Sequence, residues 1–595
     1  MIYPHSQAEK TRPFLKSDCR DFSRILGKSV AALMLCGSVM ACSGGETNTD
    51  QPKEPESAPT EIAAPAQPVS KTLFGIEKAS INEQQLRQRI ATLASDEFEG
   101  RAPATSGGTK TRNYLMEEMK AIGLKPGNGD SYEQEVPLVE LTADPETSSF
   151  AVNGQPLEYG PEVMFWTKQV TQNVSFDDSE MVFVGYGVVA PEYGWDDYAG
   201  LDVAGKTVVM LVNDPGYATQ NPDLFNGRSM TYYGRWTYKF EEAARQGAAA
   251  AIVIHQTAPA SYGWGVVSGS WSGPQLDLER PDAGAGRVPL EGWVQESVAR
   301  DWFTRAGLDF DAQTQAASSG SFKPTVLSGL KANGEINNTI RRSNSANVVG
   351  VIPGTTRPDE YILYMGHWDH LGTAEGSGDV VSNGAVDNAT GTAGILSIAE
   401  AFMGNSKQPE RSVMFLAVTA EESGLLGSAY FGEAPLVPFK NIVGGINIDA
   451  ILPTPLTKDI IVIGHGSSEL EDLMELAASE RGLYLRPDAE PEKGFFYRSD
   501  HISLSKKGVP MIYSDSGIDF VEGGEAAGLA FSAGYTKDRY HKPSDEYSPD
   551  WDMNGMVQSL ELFYETGAMM AYTDVWPNWY EGNEFRALRD AQRAN

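Results

Sequence analysis

Cysteine is nearly absent from the 595-residue chain: there are three, Cys19, Cys36 and Cys42, and none follows. No disulfide can therefore form within the rest of the chain, and no thiolate metal site can be built there. A chain of this length can bury enough apolar surface to do without such staples. Basic charge is also scarce, with 47 Lys and Arg against 80 Asp and Glu, a net charge of -33. Such a chain repels phosphate and lacks the basic face on which counterion release depends, which excludes a nucleic-acid binder and argues against attraction to anionic lipid. Long apolar runs are missing too: none of eighteen residues follows the N-terminal region, so no membrane-spanning helix is expected there. With 41% hydrophobic and 21% charged residues the composition is that of a globular protein, large enough for two folded units.

What is present begins with a targeting signal. Lys10, Arg12, Lys16, Arg20, Arg24 and Lys28 precede a short apolar stretch from Val30 to Met40, the pattern of a cleaved leader. The segment Val39-Met40-Ala41-Cys42-Ser43-Gly44-Gly45 resembles a bacterial lipobox. That resemblance implies a signal peptide over residues 1–41, lipidation of Cys42 and attachment to the cell envelope. Ser43 then suggests an outer-membrane or periplasm-facing location in a Gram-negative source. The alternative is an ordinary signal peptide cut near Ala41, with secretion. Residues 42–72, rich in Pro, Ala, Glu, Thr and Ser, read as a flexible tether.

Three textures follow. Between Ile81 and Leu124, Leu86, Ile90 and Leu93 mark one helical face and Tyr114, Leu115, Met119 and Ile122 a second. Residues 145–340 alternate short apolar strands, such as 181–184 and 207–212, with Gly and Asp turns, and read as a separate strand-rich insert. After Asn347 strand and helix alternate, as in a parallel α/β sheet. Strands are expected at 361–365, 412–418, 441–448, 460–463 and 509–513, and helices at 391–402, 424–431, 469–480 and 553–572. The expected division is 73–144 and 341–575 for one domain, 145–340 for the insert and 576–595 for a C-terminal tail.

The chemistry gathers in the last of these regions. His367, Glu421, Glu422 and Asp449 each sit at or just past the C-terminal end of an expected strand, the edge at which open α/β sheets bind ligands. Asp387 is expected to open a helix, and His541 to lie in a loop from 534 to 545. Imidazole and carboxylate without thiol suit an open catalytic zinc site.

Six segments in order match peptidase family M28: Gly366-His367-Trp368-Asp369, Gly384-Ala385-Val386-Asp387-Asn388-Ala389-Thr390-Gly391, Glu421-Glu422-Ser423-Gly424, Asn447-Ile448-Asp449, Arg498-Ser499-Asp500-His501 and Tyr540-His541-Lys542-Pro543-Ser544-Asp545. The opening segment Ser95 to Pro103 resembles the start of that domain. Gly185-Tyr186-Gly187, Asp202 to Lys206 and the stretch 239–254 resemble a protease-associated (PA) domain. The resemblance implies a mostly parallel mixed sheet flanked by helices, with a β-rich insert. It implies two Zn²⁺ ions, with Co²⁺ or Mn²⁺ as substitutes. His367, Asp387 and Asp449 would hold one ion and Glu422, Asp387 and His541 the other, with Asp387 as the bridge. Glu421 is implied as general base, Asp369 as the carboxylate orienting His367, Tyr540 as oxyanion stabiliser and Arg498 as a substrate-binding residue. The expected activity is removal of N-terminal amino acids from peptides. A carboxypeptidase or dipeptidase of the same chemistry is the alternative, followed by a glutaminyl cyclase or a non-catalytic scaffold. His255, His370 and His465 read as structural, and His501 carries no assigned role.

Overall fold

The structure is a computed structural model and describes residues 72, 73 and 75–594. The leader, Cys42 and the tether up to residue 71 lie outside the described residues. Among the described residues no helix is long and apolar enough to cross a membrane.

The strand Arg411–Val418 has the sequence RSVMFLAV and all eight residues are buried. A continuous run of this kind needs cover on both faces, as in a parallel sheet. Arg411–Val418 indeed lies parallel to Arg357–His367, which is parallel to Ile442–Asn447, itself parallel to Met511–Asp515. Antiparallel strands flank this centre, Asp459–Ile463 on one side and the end of Thr325–Ile352 on the other. Helices Glu83–Leu93, Ser106–Ile122, Gly391–Gly404 and Asn554–Tyr572 supply Leu86, Ile90, Leu115, Leu396, Phe402, Leu560 and Phe563 to one large core. The opposite face carries a second core around Leu363, Met365, Leu416, Phe431 and Leu504.

The insert has its own sheet and packs on both of its faces. Its strands are numerous, as expected, yet its centre is a parallel run. Asn173–Phe183, Thr207–Leu211, Ala250–His255 and Leu290–Gln295 lie side by side, and helices Trp236–Arg245 and Glu296–Arg305 belong to the same unit. The expected boundary at 340/341 falls inside one continuous strand, Thr325–Ile352, of 28 residues. Its first part pairs with the insert strand Asn173–Phe183, and its second with Glu133–Ala143 and Arg411–Val418. One strand therefore belongs to both sheets, so the insert is tied to the larger sheet by a backbone hydrogen-bond ladder.

Two other expectations change. Residues 534–545 are not wholly loop, because a helix runs over Gly524–Asp538. Residues 576–595 are no loose tail: Trp579 is fully buried, and Arg589 Nη2 donates to the carbonyls of Ile442 and Val443.

Candidate metal centre

Parallel pairing brings the expected residues to one edge. His367 ends its strand opposite Val418, three residues before Glu421, and Met365 is level with Asn447, two before Asp449. Asp387 comes from elsewhere. It does not open a helix but lies in an irregular turn over Ala385–Thr390, with φ -106° and ψ 97°, ahead of the helix Gly391–Gly404. Asn388 Nδ2 donates to the Ile448 carbonyl at 3.0 Å, and its Oδ1 accepts from Gly391 N at 2.9 Å and Ala450 N at 3.0 Å. These bonds tie the turn to the strand end that carries Asp449. A Cβ on Gly391 would collide with Asn388 Oδ1 and the Ile448 carbonyl, which explains glycine there.

The central fact is how Asp387 divides its carboxylate. Its Oδ1 lies 3.4 Å from His367 Nε2 and its Oδ2 3.2 Å from His541 Nε2. His367 Nε2 is also 3.1 Å from Asp449 Oδ1, and His541 Nε2 3.2 Å from Glu422 Oε2. The five expected ligands thus form two triads that share Asp387.

Around them stand supports. Ser499 Oγ donates to Asp449 Oδ2 at 2.6 Å and accepts from Asn447 Nδ2 at 2.7 Å. Thr392 Oγ1 donates to the His367 carbonyl at 2.6 Å. Asp545, fully buried, accepts from Val386 N and Asp387 N at 3.1 Å, which fixes the Asp387 turn from the segment that bears His541. Arg101, also buried, donates to the carbonyls of Leu93, Trp368, Asn383 and Gly384, joining the N-terminal helices to both ligand loops. Neither Asp545 nor Arg101 was marked by residue type alone. The signal for both was membership of the segments Ser95 to Pro103 and Tyr540 to Asp545 that resemble the M28 pattern, not a chemistry of their own.

The remaining expected residues are placed as follows. Glu421 Oε2 is 4.0 Å from His367 Nε2, beside the triads and outside them. Asp369 differs from the expected role: His367 Nδ1 meets the Asp369 backbone carbonyl at 3.1 Å, whereas the Asp369 carboxylate is 3.9 Å away. That carboxylate accepts from Glu421 N at 3.1 Å and Glu422 N at 3.3 Å, so it shapes the Glu pair more directly than the imidazole. Tyr540 stacks on His541 with ring centroids 4.0 Å apart. Arg498 reaches no ligand; its guanidinium lies over the Phe495 ring. His370, read as structural, is in fact at the site, with Nδ1 2.6 Å from Glu422 Oε1. His255 fits a packing role, its Nε2 3.0 Å from the Tyr262 carbonyl.

The electrostatics ask for positive charge. Burial alone would lower the His367 pKa, but the Glu421 and Asp449 carboxylates outweigh it and raise it well above the ordinary value. Burial raises Glu421 well above the carboxylate range, aided by Asp449, Glu422 and Asp500 and opposed by His367. Burial likewise lifts Asp369 to about 6. His367 and Glu421 are thus both shifted towards their protonated forms, as expected where carboxylates crowd without a cation to offset their repulsion. Among the described residues two groupings meet metal-ligand spacing: the triad His367, Asp387 and Asp449, and a second made of Asp387, Glu422 and His370, in which His370 stands in the place expected of His541. Donor type, spacing and charge fit a divalent ion such as zinc.

A mostly parallel α/β sheet with an imidazole and carboxylate cluster at its C-terminal edge is a fold and a donor set that suit a divalent-metal site. Residues 347–564 match the model of peptidase family M28. Among curated relatives, the chain is 30% identical over 158 residues to Aminopeptidase NAALADL1 of Rattus norvegicus, covering 26% of this chain and 19% of that protein. It is 32% identical over 133 residues to the Glutamate carboxypeptidase 2 homolog of Caenorhabditis elegans, covering 22% and 16%. The chain thus spans about a fifth or less of the length of these relatives. Among solved structures, an aminopeptidase from Aneurinibacillus sp. strain AM-1 aligns at 17% identity with a TM-score of 0.47, over 83% of this chain and 95% of that one.

Proposed function

We propose that this chain is a two-zinc exopeptidase that removes N-terminal amino acids from peptides. The reading rests on one observation: the two Asp387 oxygens face two different histidines, each of which also meets a second carboxylate. His367, Asp387 and Asp449 would hold one ion, and Asp387, Glu422 and His541 the other. When bound, such a pair supplies Lewis acidity at the scissile carbonyl and lowers the pKa of water.

The chain's own residues do the rest. Glu421, beside the triads, takes the proton of the attacking water on its carboxylate and delivers it to the leaving amine. Its carboxylate lies 4.0 Å from His367 Nε2, close enough to the triads to serve a water held between them. Asp369 fixes the backbone of Glu421 and Glu422, so the base and a ligand keep their spacing. The Tyr540 hydroxyl, on a ring stacked on His541, would donate to the developing oxyanion.

Hydrolysis of aminoacyl p-nitroanilides, lost on chelation and restored by Zn²⁺, is the test; cleavage only of N-blocked peptides with free C-termini would replace this reading. A dipeptidase or carboxypeptidase of the same chemistry is the second reading, favoured by the unpaired Arg498 guanidinium. The PA character of the insert and lipid anchoring through Cys42 are proposals on sequence resemblance. Cys42→Ser should release the protein from membranes.

A further inference from the structure

Glu422 presents its two carboxylate oxygens to two different histidines. Oε2 faces His541 Nε2 at 3.2 Å, and Oε1 faces His370 Nδ1 at 2.6 Å. The two rings lie 5.9 Å apart, centroid to centroid. Ligand atoms of His370, Asp387 and Glu422 lie within 4.8 Å of one another. A site at Asp387 and Glu422 therefore has two imidazoles within reach, where the site at Asp387 and Asp449 has only His367.

The two imidazoles are held in different ways. His370 belongs to the sheet edge, three residues beyond His367, where Trp368 N donates to the Val418 carbonyl at 2.9 Å. Its side chain is fully buried. The ring rests against Gly384, where an added Cβ would come within 2.5 Å of two ring carbons. Among the described residues its Nε2 has no hydrogen-bond partner.

The His541 side chain is 39% exposed, and its backbone is left-handed with φ 56°. Its neighbours bond to the preceding helix and its end, not to the sheet. Tyr540 N donates to the Tyr535 carbonyl at 3.0 Å, Lys542 N to the Arg539 carbonyl at 2.9 Å and Ser544 Oγ to the Asp538 carbonyl at 2.6 Å. That helix, Gly524–Asp538, buries only Gly528 and is preceded by Gly523; Gly523 and Gly524 have φ 96° and 63°. A helix with so little buried surface belongs to the least stable part of a fold, and His541 moves with it. The anchors on either side stay in place, Val521 N on the Leu456 carbonyl and Asp545 on Val386 N and Asp387 N.

We infer that His370 is a reserve ligand for the ion expected at Asp387, Glu422 and His541: when the helix lifts and withdraws His541, His370 Nδ1 takes its place. In that exchange Nδ1 releases to solvent the proton it shares with Glu422 Oε1 and offers its lone pair, while Nε2 keeps a proton. The rim of the site thus opens for entry or release without loss of the ion. The inference rests on the two-zinc reading. It gives His370 a second part beside orienting Glu422 while His541 is in place.

The test counts ions and does not read turnover. Competition with a zinc-chelating dye, together with metal analysis, gives the number and affinity of ions in the native chain, in His541→Ala and in His541→Ala combined with His370→Asn. Asparagine keeps a donor for Glu422 Oε1 but offers no imidazole. The native chain should hold two ions. His541→Ala should still hold two, one of them about tenfold or more weakly, and the double variant should hold one. A single ion in His541→Ala, or two in the double variant, would overturn the inference. If the double variant does not fold, the proton spectrum of Co²⁺-loaded His541→Ala decides. Two strongly shifted, solvent-exchangeable imidazole N–H signals, from His367 and His370, are expected there, and one alone would overturn the inference. Fewer than two ions on the native chain would reject the two-zinc reading itself, and the inference with it.

Discussion

His370 Nδ1 lies 2.6 Å from Glu422 Oε1, while the other oxygen of that carboxylate faces His541 Nε2 at 3.2 Å. One histidine thus fixes which Glu422 oxygen is left for the metal. His370→Ala should weaken retention of one of the two ions by about 10- to 100-fold, as loss of an outer partner does elsewhere, and leave the other in place. Competition against a zinc-chelating dye reads this directly. Unchanged retention would mean that packing alone orients Glu422.

Glu421 and Asp387 should separate chemistry from metal binding. Glu421→Gln is expected to keep its zinc while kcat falls by several orders of magnitude, because only the proton carrier is lost. Asp387→Ala removes the shared carboxylate and should lose metal and activity together. Metal analysis alongside kinetics distinguishes the two; equal metal loss in both variants would remove Glu421 from the role of base.

Arg101 answers four backbone carbonyls from inside the protein. Arg101→Met removes the guanidinium from all four; the Gly384 carbonyl still accepts from Ala389 N at 3.2 Å, but loss of the donor to the other three should destabilise by at least about 3 kcal/mol. Denaturant unfolding monitored by circular dichroism measures it. A midpoint equal to that of the native chain would show that these carbonyls find other donors.

His501 supplies a pH dependence remote from the ligands. It packs edge-on to Phe496, with centroids 4.6 Å apart, and burial lowers its pKa to about 3. The folded state keeps the ring neutral, while the unfolded chain takes up a proton below its ordinary pKa of about 6.5. The stability held by the neutral ring is therefore complete above about pH 6.5 and is lost progressively as pH falls towards 3. The loss at pH 5 is about 2 kcal/mol by linkage. His501→Phe should remove that share of the acid sensitivity, seen as a smaller difference between denaturation midpoints at pH 7.5 and pH 5. An identical difference in both proteins would assign the sensitivity to other groups.

The sequence disclosed most where one physical cause dominated. Arg411–Val418 was legible because a strand buried on both faces must be apolar throughout. The five candidate ligands were legible through ordered segments that resemble the M28 pattern, with His367, Glu422 and Asp449 also at or just past strand ends. Thr325–Ile352 was not, because only parts of it are buried and its charged and polar positions mimic loop. Gly524–Asp538 was hidden for a related reason: it buries only Gly528, so it has no apolar stripe to read. His370 escaped because a lone histidine gives no sign of its partner until the fold brings Glu422, 52 residues away, against it.

The central claim is that Asp387 is shared between two ions, and anomalous diffraction at the zinc edge from crystals of the zinc-loaded protein tests it most directly. The account predicts two peaks per chain on either side of the Asp387 carboxylate, one against His367 and Asp449 and one against Glu422 and His541. A single peak, or two peaks that do not both contact Asp387, would contradict it.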